Sequence, residues 1–260
     1  MTESLLVDHV VEGLPEGPAV VLSNSLGSSR AMWDPQMPGL SRRFRVIRYD
    51  HRGHGASPVP PGPYRIADVG ADIVTLLDHL AIERAHLCGL SIGGMACMWV
   101  AANAPERVDR MVLCSTSANL GPPEDWAKRA AIVREHGTAA VADLVVGRWF
   151  TPGFAERHPD VVGGFRDMIA ATPAEGYAGC CGAIERMDLA PELPEVRAAT
   201  LVIAAAQDPS TPPDHARRIA ALIPRARLEL VQDAAHLVNV EQPDRVTRLI
   251  VDHLTGTERA

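Results

Sequence analysis

Nowhere in its 260 residues does the chain hold an apolar run near the roughly 18 residues that a membrane-spanning helix requires. No membrane partner is therefore expected. No secretory leader is expected either, because "MTESLLVDHVVEG" carries Glu3 and Asp8 where a basic start and a small-residue cleavage site would stand. The five cysteines (Cys88, Cys97, Cys114, Cys180, Cys181) are odd in number and include no CxxC. With neighbours such as Leu87, Met98 and Leu113 they read as buried thiols, so a cytoplasmic location is expected. A basic surplus is also missing. Lys and Arg number 25 against 32 Asp and Glu, a net charge of −7. That excludes non-specific nucleic-acid binding, which needs a basic surface. It also means that an anionic substrate needs a local cation. Internal repeats and low-complexity tracts are absent, and "SPVPPGP" (57–63) is a proline-rich loop rather than a linker.

What is present is a series of short apolar runs rich in β-branched residues. They are "AVVLSN" (19–24), "FRVIRYD" (44–50), "AHLCGL" (85–90), "RMVLCST" (110–116), "TLVIAAA" (200–206) and "RLELVQD" (227–233). Runs of this length without strict alternation suit strands buried on both faces. "LLVDHVVEG" (5–13) alternates more and is expected as an edge strand. Helical patterns lie between the runs. Ile66, Val69, Ile73, Leu76, Leu77 and Leu80 share one stripe. "DHARRIAALIP" and "PDRVTRLIVDHL" behave alike near the C-terminus, with Asp214 and Pro243 as helix starts. Alternating strands and helices predict an α/β fold with a mostly parallel sheet flanked by helices. The middle breaks the rhythm with helix-like pieces only: "PEDWAKRAAIVREHG", "AAVADLVVGRWF", "PDVVGGFRDMIAA" and "EGYAGCCGAIERMDL". The expected organisation is a core of residues 1–119 and 194–260, with 120–193 inserted as a helical lid.

Gly89-Leu90-Ser91-Ile92-Gly93 matches G-x-S-x-G between a strand-like and a helix-like run. A tight strand-to-helix turn crowds the backbone at the serine, and small residues on either side relieve it. Ser91 is the candidate nucleophile, and the Ile92 N–H would stabilise an oxyanion. A serine hydroxyl needs a base. Among ten histidines, His9, His79, His158, His215 and His253 lie in polar segments and are expected at the surface. His51 and His54 sit in a turn. His236 follows the last strand and so reaches the sheet's C-terminal edge, where open α/β sheets place their sites. Asp208, just past another strand, reaches the same edge and would fix the imidazole tautomer. The order Ser, Asp, His is that of α/β-hydrolases. The second oxyanion donor is expected in "SNSLGSS", at the Ser25 N–H with Leu26 beside it. Ser23-Asn24 stands where many hydrolases have His-Gly, and the Asn24 side chain is a further possible donor.

"RYDHRGHGAS", "GLSIGG", "AQDPSTPP" and "AHLVNVEQPDRV" resemble the α/β-hydrolase fold over nearly the whole chain. "LSNSLGSSRAMWDPQ", "RWFTPGF" and "YAGCCGAIERMDL" are more specific and resemble the 3-oxoadipate enol-lactonases, which act in bacterial aromatic-acid breakdown. The resemblance implies a small anionic enol-lactone substrate opened by water, with no metal or organic cofactor. The substrate's carboxylate must then be met in the lid. Trp126 and Arg129, spaced i, i+3 on one predicted helix, can face one ligand, and the resemblance supports that pair. Arg134 and Arg148 are rivals to Arg129, and Trp149 would wall the flat ring. Oligomeric state is not legible in the sequence.

Overall fold

The computed structural model describes residues 5–257. Seven strands form one sheet: β1 (His9–Gly13), β2 (Ala19–Ser23), β3 (Arg45–Tyr49), β4 (Ala85–Leu90), β5 (Val108–Cys114), β6 (Ala199–Ala205) and β7 (Ala226–Val231). Their spatial order is β1-β3-β2-β4-β5-β6-β7. Only β1 runs antiparallel, against β3; every other pairing is parallel. The continuous apolar runs are thus the parallel strands, and β4 is buried at all of its positions. The alternating edge strand is shorter than the sequence suggests and starts at His9. The Asp8 amide is engaged instead by the Ser57 hydroxyl at 2.8 Å, so pairing stops there.

In chain order the helices are α1 (Met37–Leu40), α2 (Ile66–His79), α3 (Ile92–Asn103), α4 (Pro123–His136), α5 (Ala139–Trp149), α6 (Pro152–Arg157), α7 (Pro159–Ala170), α8 (Ala174–Glu185), α9 (Pro213–Leu222), α10 (Val238–Glu241) and α11 (Pro243–Thr255). Helix α2 buries Ile66, Val69, Ile73, Leu76 and Leu77, the stripe read from the sequence. Each such side chain contributes about 1.5–3 kcal/mol when fully buried. The Asp68 carboxylate accepts the Arg65 N–H at 2.8 Å and closes the helix start. On the same helix, buried Asp72 takes the Arg52 guanidinium in a two-bond fork of 2.6 and 2.7 Å, which fixes the turn after β3.

The sequence-based placement of one histidine is overturned. His253 is buried and bonds the Ala199 carbonyl at 3.1 Å. Position 253 continues the stripe Val246, Leu249, Ile250 of α11, so helical period outranks its polar neighbours.

Helices α4 to α8 leave the sheet after β5 and return before β6, its direct neighbour. Helix α8 is buried from Gly176 to Ile184 and packs against α4. Its seat is a backbone-to-backbone contact with the turn after β3. A Cβ on Gly176 would lie 2.0 Å from the Gly53 carbonyl oxygen. Only glycine lets the two segments approach so closely.

Candidate active site

Ser91 ends β4 and starts α3 with φ 58° and ψ −121°, a backbone region that side-chain-bearing residues rarely occupy. The surroundings hold it there. A Cβ on Gly93 would sit 2.3 Å from the Ser23 carbonyl oxygen, and one on Gly89 would sit 2.3 Å from that of Gly93. The Gly93 N–H meanwhile bonds the Asn24 carbonyl at 3.0 Å. Strain of this kind persists where packing over-determines it. The Ser91 side chain makes no capping bond to its helix, so helix capping does not account for the serine.

The loops after β6 and β7 bring Asp208 and His236 together. His236 Nδ1 lies 2.8 Å from Asp208 Oδ2, with both residues buried. The carboxylate is fully used. Its Oδ1 accepts the Ser210 and Thr211 N–H groups at 2.7 and 3.0 Å, and its Oδ2 also accepts the Thr211 hydroxyl at 2.7 Å. Burial alone would raise its pKa; the facing imidazole and these donors outweigh burial and hold it below the ordinary carboxylate value. An anion so placed keeps the imidazole's second nitrogen, Nε2, as the acceptor. Ser91 and His236 line one cavity without a hydrogen bond between them. Such contacts commonly tighten only when substrate arrives.

The His236 loop is clamped on both sides. The Leu237 N–H bonds the Trp149 carbonyl at 3.0 Å. Buried Glu241 accepts the Ala235 N–H, and it accepts the Thr151 N–H and hydroxyl at 2.9 and 2.7 Å. The segment "RWFTP" is therefore a fastening for the imidazole. Sequence reading missed Glu241 and Thr211. The Thr211 signal was local, three residues after Asp208, whereas the partners of Glu241 are set by the fold.

Ser25, whose N–H is the expected second oxyanion donor, lines the cavity. The Ser25 N–H points at the Met32 sulfur, 3.2 Å away, and the Ser28 hydroxyl bonds the same sulfur at 3.0 Å. The Gly27 N–H goes to His54 Nε2 at 3.0 Å. The Leu26 N–H has no hydrogen-bond partner among the described residues, and Leu26 lines the cavity beside Ser25. The Ile92 N–H is likewise without a partner among the described residues. The Asn24 Nδ2 bonds the Tyr49 carbonyl at 2.7 Å, and Asn24 does not line the cavity.

The cavity holds about 320 Å³ between these groups and the inserted helices. Trp149 forms one wall, buried and edge-on to Phe165 at 5.9 Å. Trp126 and Arg129 both line it, with the guanidinium 4.7 Å from the indole centre. The Trp126 Nε1 bonds the Leu120 carbonyl at 2.9 Å. Arg129 also faces the buried Tyr177 hydroxyl; burial raises that hydroxyl's pKa and the nearby guanidinium partly offsets it. Of the rivals, Arg134 is spent on Glu175 at 2.9 Å and lies outside the cavity lining. Arg148 lines the cavity, and neither it nor Arg129 has an ion pair among the described residues. No group of three or more metal-ligating side chains occurs among the described residues. The arrangement can therefore activate an alcohol, hold an oxyanion with two backbone amides, and face an anionic arm with two cations.

The chain is similar to several known proteins. Across 93% of this chain and 90% of its own, 3-oxoadipate enol-lactonase 2 of Acinetobacter baylyi is 41% identical. The crystal structure of the enol-lactonase from Burkholderia xenovorans superposes with a TM-score of 0.94 at 43% identity, covering 96% of both chains. A thermophilic esterase from Thermogutta terrifontis, solved with malate bound, superposes at 0.91 with 32% identity, over 97% of this chain and 94% of its own. The α/β hydrolase fold matches residues 18–243. With its sheet order, its strained serine turn and these relatives, the chain belongs to the α/β-hydrolase family.

Proposed function

We propose that the chain hydrolyses a small anionic enol-lactone, 3-oxoadipate enol-lactone, to 3-oxoadipate. The reaction belongs to the β-ketoadipate route of aromatic-compound breakdown in the cytoplasm. The observation that carries the reading is one cavity joining Ser91, His236 and two cations without carboxylate partners. Enol-lactonases at 41% and 43% identity support ester hydrolysis as its chemistry.

In this mechanism Ser91 Oγ attacks the ring carbonyl while His236 Nε2 takes its proton. Asp208 stabilises the imidazolium across the 2.8 Å contact. The tetrahedral oxyanion is held by the N–H groups of Ile92 and Leu26, donors typically worth about 2.7–4 kcal/mol each. Ring opening expels an enolate oxygen, which takes the proton back from His236. The resulting enol becomes a ketone, so this group leaves more readily than a simple alkoxide. Water, deprotonated by His236, then cleaves the acyl-enzyme and restores Ser91. Arg129, with Arg148 across the cavity, meets the acetate arm, and Trp149 flanks the flat ring. Residues 120–193 act as a lid over the core of 1–119 and 194–260. No metal or organic cofactor takes part in any of these steps.

The test compares the loss of enol-lactone absorbance with turnover of p-nitrophenyl acetate. A marked preference for the carboxylated lactone is expected, and comparable efficiency on both substrates would remove the assignment. Ser91→Ala is expected to lower turnover by about four orders of magnitude or more with the fold intact. Arg129→Ala is expected to weaken use of the lactone but not of the neutral ester. Equal losses on both would argue against carboxylate binding.

A further inference from the structure

The sheet's other edge carries a second cleft. Strands β4, β5, β6 and β7 lie side by side, and each brings one arginine at or near its start: Arg84, Arg110, Arg197 and Arg225. All four line a cleft of about 320 Å³, together with Glu106 and Asp109. Adjacent strands are about 4.8 Å apart, so four successive strand starts span about 14 Å. The lining therefore sums to +2 (four arginines less two acids) in a chain whose net charge is −7.

The local acids do not neutralise the row. The Asp109 carboxylate is shared between Arg84 and His86 Nδ1, each at 3.5 Å, and Arg84 also donates to the Val108 carbonyl at 3.2 Å. Arg110, Arg197 and Arg225 have no ion pair among the described residues. The Arg110 guanidinium lies close over Gly256, where α11 ends; a Cβ there would come within 2.9 Å of its nitrogen. The cleft occupies the N-terminal edge of the strands, opposite the edge that carries Ser91 and His236. The proposed hydrolytic chemistry does not use it.

We propose that this cleft is a second, non-catalytic site for a diphosphate-bearing anion. Guanidinium forks match phosphate oxygens two bonds at a time. A row of three such forks without carboxylate partners fits two linked phosphoryl groups better than one, because a lone anion reaches only part of the row. The site binds the charged group and leaves the rest of the ligand in solvent, so inorganic pyrophosphate is a sufficient probe.

Isothermal titration calorimetry of the whole protein with pyrophosphate, at low ionic strength, tests this. One equivalent is expected to bind, and affinity should fall as salt rises. Binding should weaken by about tenfold or more in Arg197→Ala/Arg225→Ala, while ester hydrolysis stays at the parent rate. Inorganic phosphate and citrate are expected to bind at least about tenfold more weakly than pyrophosphate. Arg129→Ala/Arg148→Ala should leave pyrophosphate binding unchanged, which separates this cleft from the cavity beside Ser91. The proposal fails if titration shows no saturable binding, or if the cleft variant binds like the parent. It fails also if citrate matches pyrophosphate, or if the cavity variant is the one that loses binding. None of these outcomes depends on which ester the chain hydrolyses.

Discussion

Met32 ties two halves of the site together. Its sulfur accepts the Ser25 N–H and the Ser28 hydroxyl, and its carbonyl accepts Asn239 Nδ2 at 2.8 Å, three residues beyond His236. With the Ser25 and Gly27 N–H groups both engaged, the Leu26 N–H is left without a partner among the described residues. That the Ser25 N–H has a neighbour while the Leu26 N–H has none was not legible in the sequence, because both stand in one loop and only the fold brings the sulfur to one of them. Met32→Leu keeps the volume and removes the acceptor. It is expected to lower kcat about tenfold with KM little changed, and to weaken a boronate adduct of Ser91 in parallel. An unchanged kcat would count against this positioning role. The triad candidates, by contrast, were legible: Ser91, Asp208 and His236 each follow an apolar run, and parallel strands deliver all three to one edge.

At the scale of elements, the strand-to-helix turn at Ser91 depends on packing of backbone against backbone. A methyl group at position 93 would strike the Ser23 carbonyl at the end of β2, which cannot move without loosening its pairing with β4. Gly93→Ala is expected to cost about 3 kcal/mol, measurable by urea unfolding; a loss within experimental error would show that the turn relaxes freely. The parallel strands were readable because burial on both faces demands unbroken apolar runs. Helices α4, α5, α7 and α8 were readable from their residue pattern. The end of β1 was not, since a side chain from residue 57 decides where it begins. His253 was missed for a related reason, as its own polar neighbours pointed outward while the stripe it continues faced the core.

For the molecule as a whole, two buried histidines set a lower limit on pH. Burial foremost lowers the His51 pKa from 6.5 to about 3 and that of His54 to about 4. His51 Nε2 contacts the Asn24 carbonyl at 2.9 Å, and His54 Nε2 accepts the Gly27 N–H. Both rings are neutral in the fold and take up a proton on unfolding. Their contribution to stability is therefore present above the unfolded value of 6.5 and is lost as pH falls toward the folded values. In His54→Gln the decline of unfolding free energy with acid should be shallower by about 1.2 kcal/mol per pH unit between about pH 6 and pH 5. Parallel slopes in chemical denaturation would refute that. The contact of Gly53 with Gly176 bears on a different question, that of how such a chain could be remade. Because β5 and β6 are neighbours, the excursion between them could be exchanged for another of any length without disturbing the strands. A graft would still have to bring its own glycine to the point where residue 176 now rests, or the turn that Arg52 and Asp72 brace would be prised from its place.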